Sequence, residues 1–158
     1  MAIAIDHLFR HAHLTEAVAR LIHAEFWADR PGGMTVADLV AHLGRATDPS
    51  RIPLSLIALD GAELVGTVNL IDNDDAKRTH LHPWLAAMVV KEACRGQGIG
   101  TRLVLALLAE ATRLGFPRVY FGTDGPGFYA RLGAELHEQV TPAFRIMRFP
   151  LPVPGSRG

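Results

Sequence analysis

The chain has 158 residues, 49% of them apolar and 20% charged, and its 16 acidic and 16 basic side chains leave a formal charge of zero. That length suits one domain with a real core, and the composition excludes a disordered chain. A balanced charge argues against a nucleic-acid partner, which needs a basic surplus to grip phosphates. No apolar run is long enough to span a bilayer, and the N-terminus has no basic segment followed by an apolar one. The single cysteine, Cys94, excludes an internal disulfide and suits a reducing compartment. The expectation is one soluble cytoplasmic domain over residues 1–150, with a frayed, proline-rich tail at 151–158.

In chain order, Ile3 and Ile5 mark a first strand. Ala17, Val18, Leu21, Ile22 and Phe26 then recur at helical spacing, with Thr15 as the expected N-cap. Asp29 to Gly33 breaks that pattern, and a second helix follows with Thr35 as cap and Val36, Leu39, Val40 and Leu43 as its buried stripe. After a polar loop, Leu54–Leu59 and Glu63–Ile71 form a pair of strands around Asp60-Gly61, the strongest hairpin signal present.

An acidic segment, 72–80, leads into an apolar strand at Trp84–Val90. The turn Arg95-Gly96-Gln97-Gly98-Ile99-Gly100 follows, then an apolar helix predicted from Thr101 to about Leu114 and ended by Gly115. A strand at Arg118–Gly122, a short helix at Phe128–Leu132 and two strands near Glu135–Val140 and Phe144–Leu151 complete the chain. The order is β-α-α-β-β-β-α-β-α-β-β, an α/β (α+β) arrangement. Its one strand–helix–strand unit, 84–122, implies a parallel pair with a right-handed crossover.

Three glycines on alternate positions at a helix start make an anion site. Glycine lets a ligand approach the main chain, and the first turn of a helix offers N–H groups without partners and a partial positive charge. No Gly-Lys-Ser/Thr of a P-loop is present, and glycines at 96, 98 and 100 do not match the dinucleotide pattern G-x-G-x-x-G. Histidines at 7, 11, 13 and 23 have no cysteine or carboxylate set at a recognised ligand spacing, so no metal is expected.

Val90-x-x-x-x-Arg95-Gly-Gln-Gly-Ile-Gly100-x-x-Leu103 resembles the acetyl-coenzyme A signature of the GNAT superfamily of N-acetyltransferases, Arg/Gln-x-x-Gly-x-Gly/Ala, filled here by Arg95, Gly98 and Gly100. Phe128-Tyr-Ala-Arg-Leu-Gly133 resembles the helix and turn after that family's fifth strand, and the element order is also the family's. The chain departs from the pattern at Glu92, where many members carry proline. The resemblance implies a mixed, mostly antiparallel sheet with one splayed parallel strand pair.

It also implies roles. Backbone N–H groups of Arg95, Gly96, Gln97, Gly98, Ile99, Gly100 and Thr101 would hold the pyrophosphate of acetyl-coenzyme A. The backbone of Met88, Val89 and Val90 would pair with its pantetheine arm and polarise the thioester carbonyl. Tyr129 matches the residue that protonates the departing thiolate, a step a phenol can perform at neutral pH. For the general base, His82 ranks first because it shares strand parity with Trp84, Met88 and Val90; His80 and the acidic run 72–75 are the other candidates. The acceptor is a small-molecule or peptide amine whose pocket is expected from residues 15–45, residues 72–83 and the last two strands. The alternative is a catalytically silent coenzyme A-binding module of the same fold. Family members commonly form homodimers, and the sequence leaves the oligomeric state open.

Overall fold

Alternating apolar residues bounded by turn signals resolve into seven strands in the computed structural model, which describes residues 2–152. They are β1 (Ile3–His7), β2 (Leu54–Asp60), β3 (Glu63–Ile71), β4 (Trp84–Val90), β5 (Arg118–Thr123), β6 (Glu135–Gln139) and β7 (Arg145–Pro150). All belong to one sheet in the order β1-β2-β3-β4-β5-β7-β6, antiparallel throughout except for β4 and β5. Four α-helices flank it: α1 (Thr15–Phe26), α2 (Val36–Leu43), α3 (Ile99–Arg113) and α4 (Pro126–Arg131). This is the mixed, mostly antiparallel sheet with one parallel pair that the sequence leads one to expect. None of the described helices is long and apolar enough to cross a membrane.

Local chemistry accounts for most boundaries. Gly61, at φ +61°, turns the β2–β3 hairpin between the opposed Asp60 and Glu63. Thr35 caps α2 through a complete capping box with Asp38, each side chain accepting from the other's backbone N–H. At the far end of α3, Gly115 takes φ +85°, its N–H donating to Thr112 O while Phe116 N–H donates to Ala111 O. That is the Schellman closure of a helix on glycine.

Several boundaries differ from expectation. A 3-10 segment, Leu8–Leu14, follows β1, so Thr15 is not a cap but the first residue of α1, its hydroxyl donating back to Ala12 O at 2.8 Å. Helix α3 starts at Ile99 rather than Thr101, because Gly98 itself supplies the left-handed residue before it. Helix α4 starts at Pro126, whose fixed φ and missing N–H suit a first turn. In the predicted tail, Leu151 N–H still donates to Pro117 O, and residues 153–158 lie outside the described residues.

The two faces of the sheet carry separate cores. Leu103, Val104, Leu107 and Ala111 of α3 pack on Leu54, Leu56, Val68, Leu70, Leu85 and Phe121. Val18 and Ile22 of α1 and Leu39 and Leu43 of α2 pack on Ile57, Leu59, Leu64 and Val89 from the other side. A third cluster, Leu81, Trp84, Tyr120 and Ile146, covers the lower part of β4, β5 and β7.

Alternation along β4 is broken at its middle. Thr67 opposes Val89 while Asn69 opposes Ala86, so β4 carries one residue more than β3 between them. Ala87 accommodates the bulge at φ +51°, a left-handed conformation that costs an L-residue about 1–2 kcal/mol. The expected parity of Trp84 with Met88 and Val90 therefore fails. Trp84 lies in the cluster with Tyr120, whereas Val90 and Met88 join the core under α3.

Helix α3 is also tied to the edge of the sheet by a side-chain hydrogen bond. His7 Nε2 on β1 lies 2.6 Å from Glu110 Oε1, and Arg113 Nε donates to Glu110 Oε2 at 2.6 Å. Burial raises the Glu110 pKa, but the Arg113 and His7 hydrogen bonds outweigh it and hold the carboxyl below its ordinary value of 4.5. A depressed carboxyl stabilises the fold fully above its unfolded pKa, and that stability is lost as the pH falls through the folded value. Glu110→Gln should therefore unfold at lower denaturant than the natural chain at about pH 7 and at the same concentration near pH 3. A gap that persists in acid would assign the loss to packing instead.

Candidate functional site

The site forms where β4 and β5 stop pairing. Trp84 opposite Tyr120 is the one register pair between these strands, closed by the Tyr120 N–H bond to Pro83 O at 2.9 Å. Beyond it the strands part, and the upper half of β4 faces a gap instead of a neighbour. A cleft of about 420 Å³ opens there. Its wall is the main chain of Met88–Val90 and its floor is the glycine turn.

The turn has the conformation an anion needs. Gly96 and Gly98 sit at φ +79° and +80°, a region other residues enter at a cost. Gly98 caps α3 with no side chain bonded to the first turn and no acidic residue within it. The N–H groups of Ile99, Gly100 and Thr101 precede the first intrahelical bond, Arg102 N–H to Gly98 O at 3.1 Å, and all three residues line the cleft. Gly100 faces the Met88 thioether and the Phe128 ring, which a Cβ there would touch at 3.5–3.7 Å. Three uncapped donors at the positive end of a fifteen-residue helix fit a pyrophosphate.

Of the residues expected from sequence, Met88–Val90, Arg95, Gly96 and Gly98–Thr101 line this one cleft. Gln97 is part of the turn but not of the lining. Tyr129 stands one residue beyond the lining Phe128, half-buried against Phe121 with ring centroids 4.4 Å apart and against Phe128 at 4.9 Å. Burial raises its phenol above the ordinary value of 10, so the hydroxyl keeps its proton throughout the neutral range.

The structure does not bring His82 to this cleft. It precedes β4, its Nδ1 2.5 Å from Asp72 Oδ1 and its ring edge-on to Phe116 at 5.3 Å. Five residues lie between it and Met88, six steps that span at most about 20 Å at 3.3 Å per residue, and it is absent from the cleft lining. The acidic run is divided as well: Asp75 is held by Arg78, which also grips Glu138 of β6 through two hydrogen bonds at 3.0 and 2.6 Å.

One residue of the cleft carries no sequence signal. Glu25, near the end of α1, is the carboxylate in the lining, and its Oε2 accepts from Arg95 Nη2 at 3.3 Å. Arg95 Nε in turn donates to Val90 O at 2.9 Å. The arginine thus links α1, the top of β4 and the turn. Glu25 and Arg95 are 70 positions apart, so nothing local in the sequence joins them.

Comparison with known proteins places this geometry. The model of the acetyltransferase (GNAT) family matches residues 9–134. Mycothiol acetyltransferases of Rhodococcus jostii and Rhodococcus opacus are 35% and 34% identical over 97 and 96 residues. Those matches span 53% and 52% of this chain but only 32% of each relative. Among solved structures, an aminoglycoside 6'-N-acetyltransferase complexed with coenzyme A has a TM-score of 0.72 at 20% identity, covering 93% of this chain and 96% of that one. The PaiA N-acetyltransferase of Thermoplasma acidophilum, also in complex with coenzyme A, has a TM-score of 0.70 at 18% identity, covering 95% and 99%. At such identities the solved structures speak to the fold alone. The family match extends from the 3-10 segment after β1 through α4, across the parted strands and the glycine turn, and the chain belongs to the acetyltransferase (GNAT) family of acyltransferases.

Proposed function

We propose that the chain binds acetyl-coenzyme A in the cleft between β4 and β5 and transfers its acetyl group to a primary amine by direct attack in a ternary complex. The observation that carries this reading is the continuity of the cleft. Unpaired β4 backbone leads without interruption to three uncapped N–H groups at the start of α3. An extended arm ending in a pyrophosphate matches that surface in both shape and polarity.

In this reading the pyrophosphate lies on the N–H groups from Arg95 to Thr101. The pantetheine arm adds to Met88–Val90 as a strand would, satisfying main-chain groups that β5 leaves free. A β4 N–H polarises the thioester carbonyl and holds the negative charge that develops on its oxygen as the amine attacks, an effect typically of about 3–4 kcal/mol. Collapse of the tetrahedral species breaks the C–S bond, Tyr129 gives its proton to the leaving thiolate, and the surplus proton that the amine brought to nitrogen returns to the Tyr129 phenolate, leaving the neutral amide. The amine must arrive as the free base, since an ammonium has no lone pair to attack with. His82 is not carried into this reading, because the length of β4 stands between it and Met88.

Two outcomes follow. Tyr129→Phe keeps the aromatic packing and removes the proton, so kcat should fall about 100-fold while the Kd for coenzyme A changes little. An unaltered rate would remove Tyr129 from the mechanism. Gly98→Val forces a β-branched residue into φ +80°, at a cost of at least 1–2 kcal/mol for the binding conformation. It should raise the Kd for coenzyme A roughly tenfold or more in a calorimetric titration. Normal affinity would contradict a pyrophosphate on this turn. Acetyl-coenzyme A turnover against a panel of amines separates an enzyme from a catalytically silent module, which would bind and release no thiol.

A further inference from the structure

We propose that the ring of Phe144 is the acceptor platform, and that it selects primary amines carried on an apolar body, aryl or alkyl, over polyhydroxylated amines. The inference rests on the acetyl-transfer reading above and extends it to the substrate.

The two faces of β5 at the parting of the strands carry different aromatics. Phe121 points into the core under α3, where Tyr129 packs against it with ring centroids 4.4 Å apart at a tilt of 45°. Gly122, the next residue, faces the opposite way, level with Ile146 of β7 in the cluster of Trp84 and Tyr120. The Phe144 ring lies directly on Gly122, and a Cβ built there would overlap it. A side chain at 122 would therefore push the ring tip off the strand. Gly122 is two residues, about 7 Å, beyond the last β4–β5 pair at Tyr120, at the height where the gap begins. Tyr129 on one side of β5 and Phe144 on the other thus flank the same opening, so an acceptor on Phe144 meets the thioester from the side opposite α3.

The turn that carries the ring is held by its own backbone. Val140 and Thr141 N–H groups both donate to Phe144 O at 3.0 Å, and Phe144 N–H donates to Thr141 Oγ1 at 3.0 Å. Its Cζ end rests against Gly122, and the side chain remains 37% exposed, one of three large apolar residues exposed to that degree among those described. A partly exposed ring braced at its tip by the strand offers an apolar body an aromatic partner. It offers nothing to a hydroxyl, which would give up water without a new hydrogen bond.

The test is steady-state kinetics with 2-phenylethylamine, hexylamine and glucosamine. Both apolar amines should exceed glucosamine in kcat/KM by about tenfold or more. Phe144→Ala should raise KM for 2-phenylethylamine ~3–10-fold, with KM for acetyl-coenzyme A within about twofold of the natural chain. Phe144→Trp should retain the low KM. Gly122→Ala should reproduce the Phe144→Ala shift by displacing the ring, and Phe144→Ala decides alone if the glycine variant does not fold. Turnover with an unaltered acceptor KM in Phe144→Ala, an equal rise for acetyl-coenzyme A, or a preference for glucosamine overturns this proposal alone. Failure of the natural chain to acetylate any of the three while binding coenzyme A overturns the transfer reading and this proposal with it.

Discussion

The structure depends on a pairing that is not completed. Strands β4 and β5 are neighbours at the centre of a seven-stranded sheet, yet one register pair joins them. A central strand with a free edge would ordinarily be a liability, since its N–H and C=O groups need partners. Here both sides of the gap are braced. β3 pairs with β4 on both sides of the bulge, β7 holds every residue of β5 from Arg118 to Thr123, and α3 lies across the core beneath. The edge can stay open because its surroundings are closed.

The bulge and the turn act on that edge from two ends. An alanine held at φ +51° in mid-strand is costly, and such strain persists where the neighbouring structure fixes it. Its effect is to move Met88 and Val90 to the α3 side of the sheet while Trp84 stays on the other. At the top, Arg95 bonds both Val90 O and Glu25, linking the end of β4, the turn and α1. Tyr129 packs on Phe121 on the α3 side of β5, and Phe144 lies against Gly122.

Much of this was legible from residues alone. β3 and β4 begin and end where their patterns predict, as does the capping box of Thr35, because hairpin glycine, strand alternation and caps are local signals. The glycine turn was legible for the same reason: φ near +80° at positions 96 and 98 demands glycine wherever it occurs. The bulge was not, since Ala87 carries no mark of its left-handed backbone, and the parity argument for His82 fell with it. Glu25 against Arg95 and Phe144 on Gly122 are contacts across 70 and 22 positions, set by tertiary packing rather than by any local pattern.

The central claim is that the free edge of β4 takes an extended ligand whose far end rests on α3. Residue-resolved amide hydrogen exchange with and without coenzyme A tests it directly. The account predicts slowed exchange at β4 amides within Met88–Val90 and at the turn from Gly96 to Thr101 on binding, with β1, β2 and β6 unchanged. Binding that leaves Met88–Val90 exchanging at its free rate, or that protects the sheet edges instead, would contradict it.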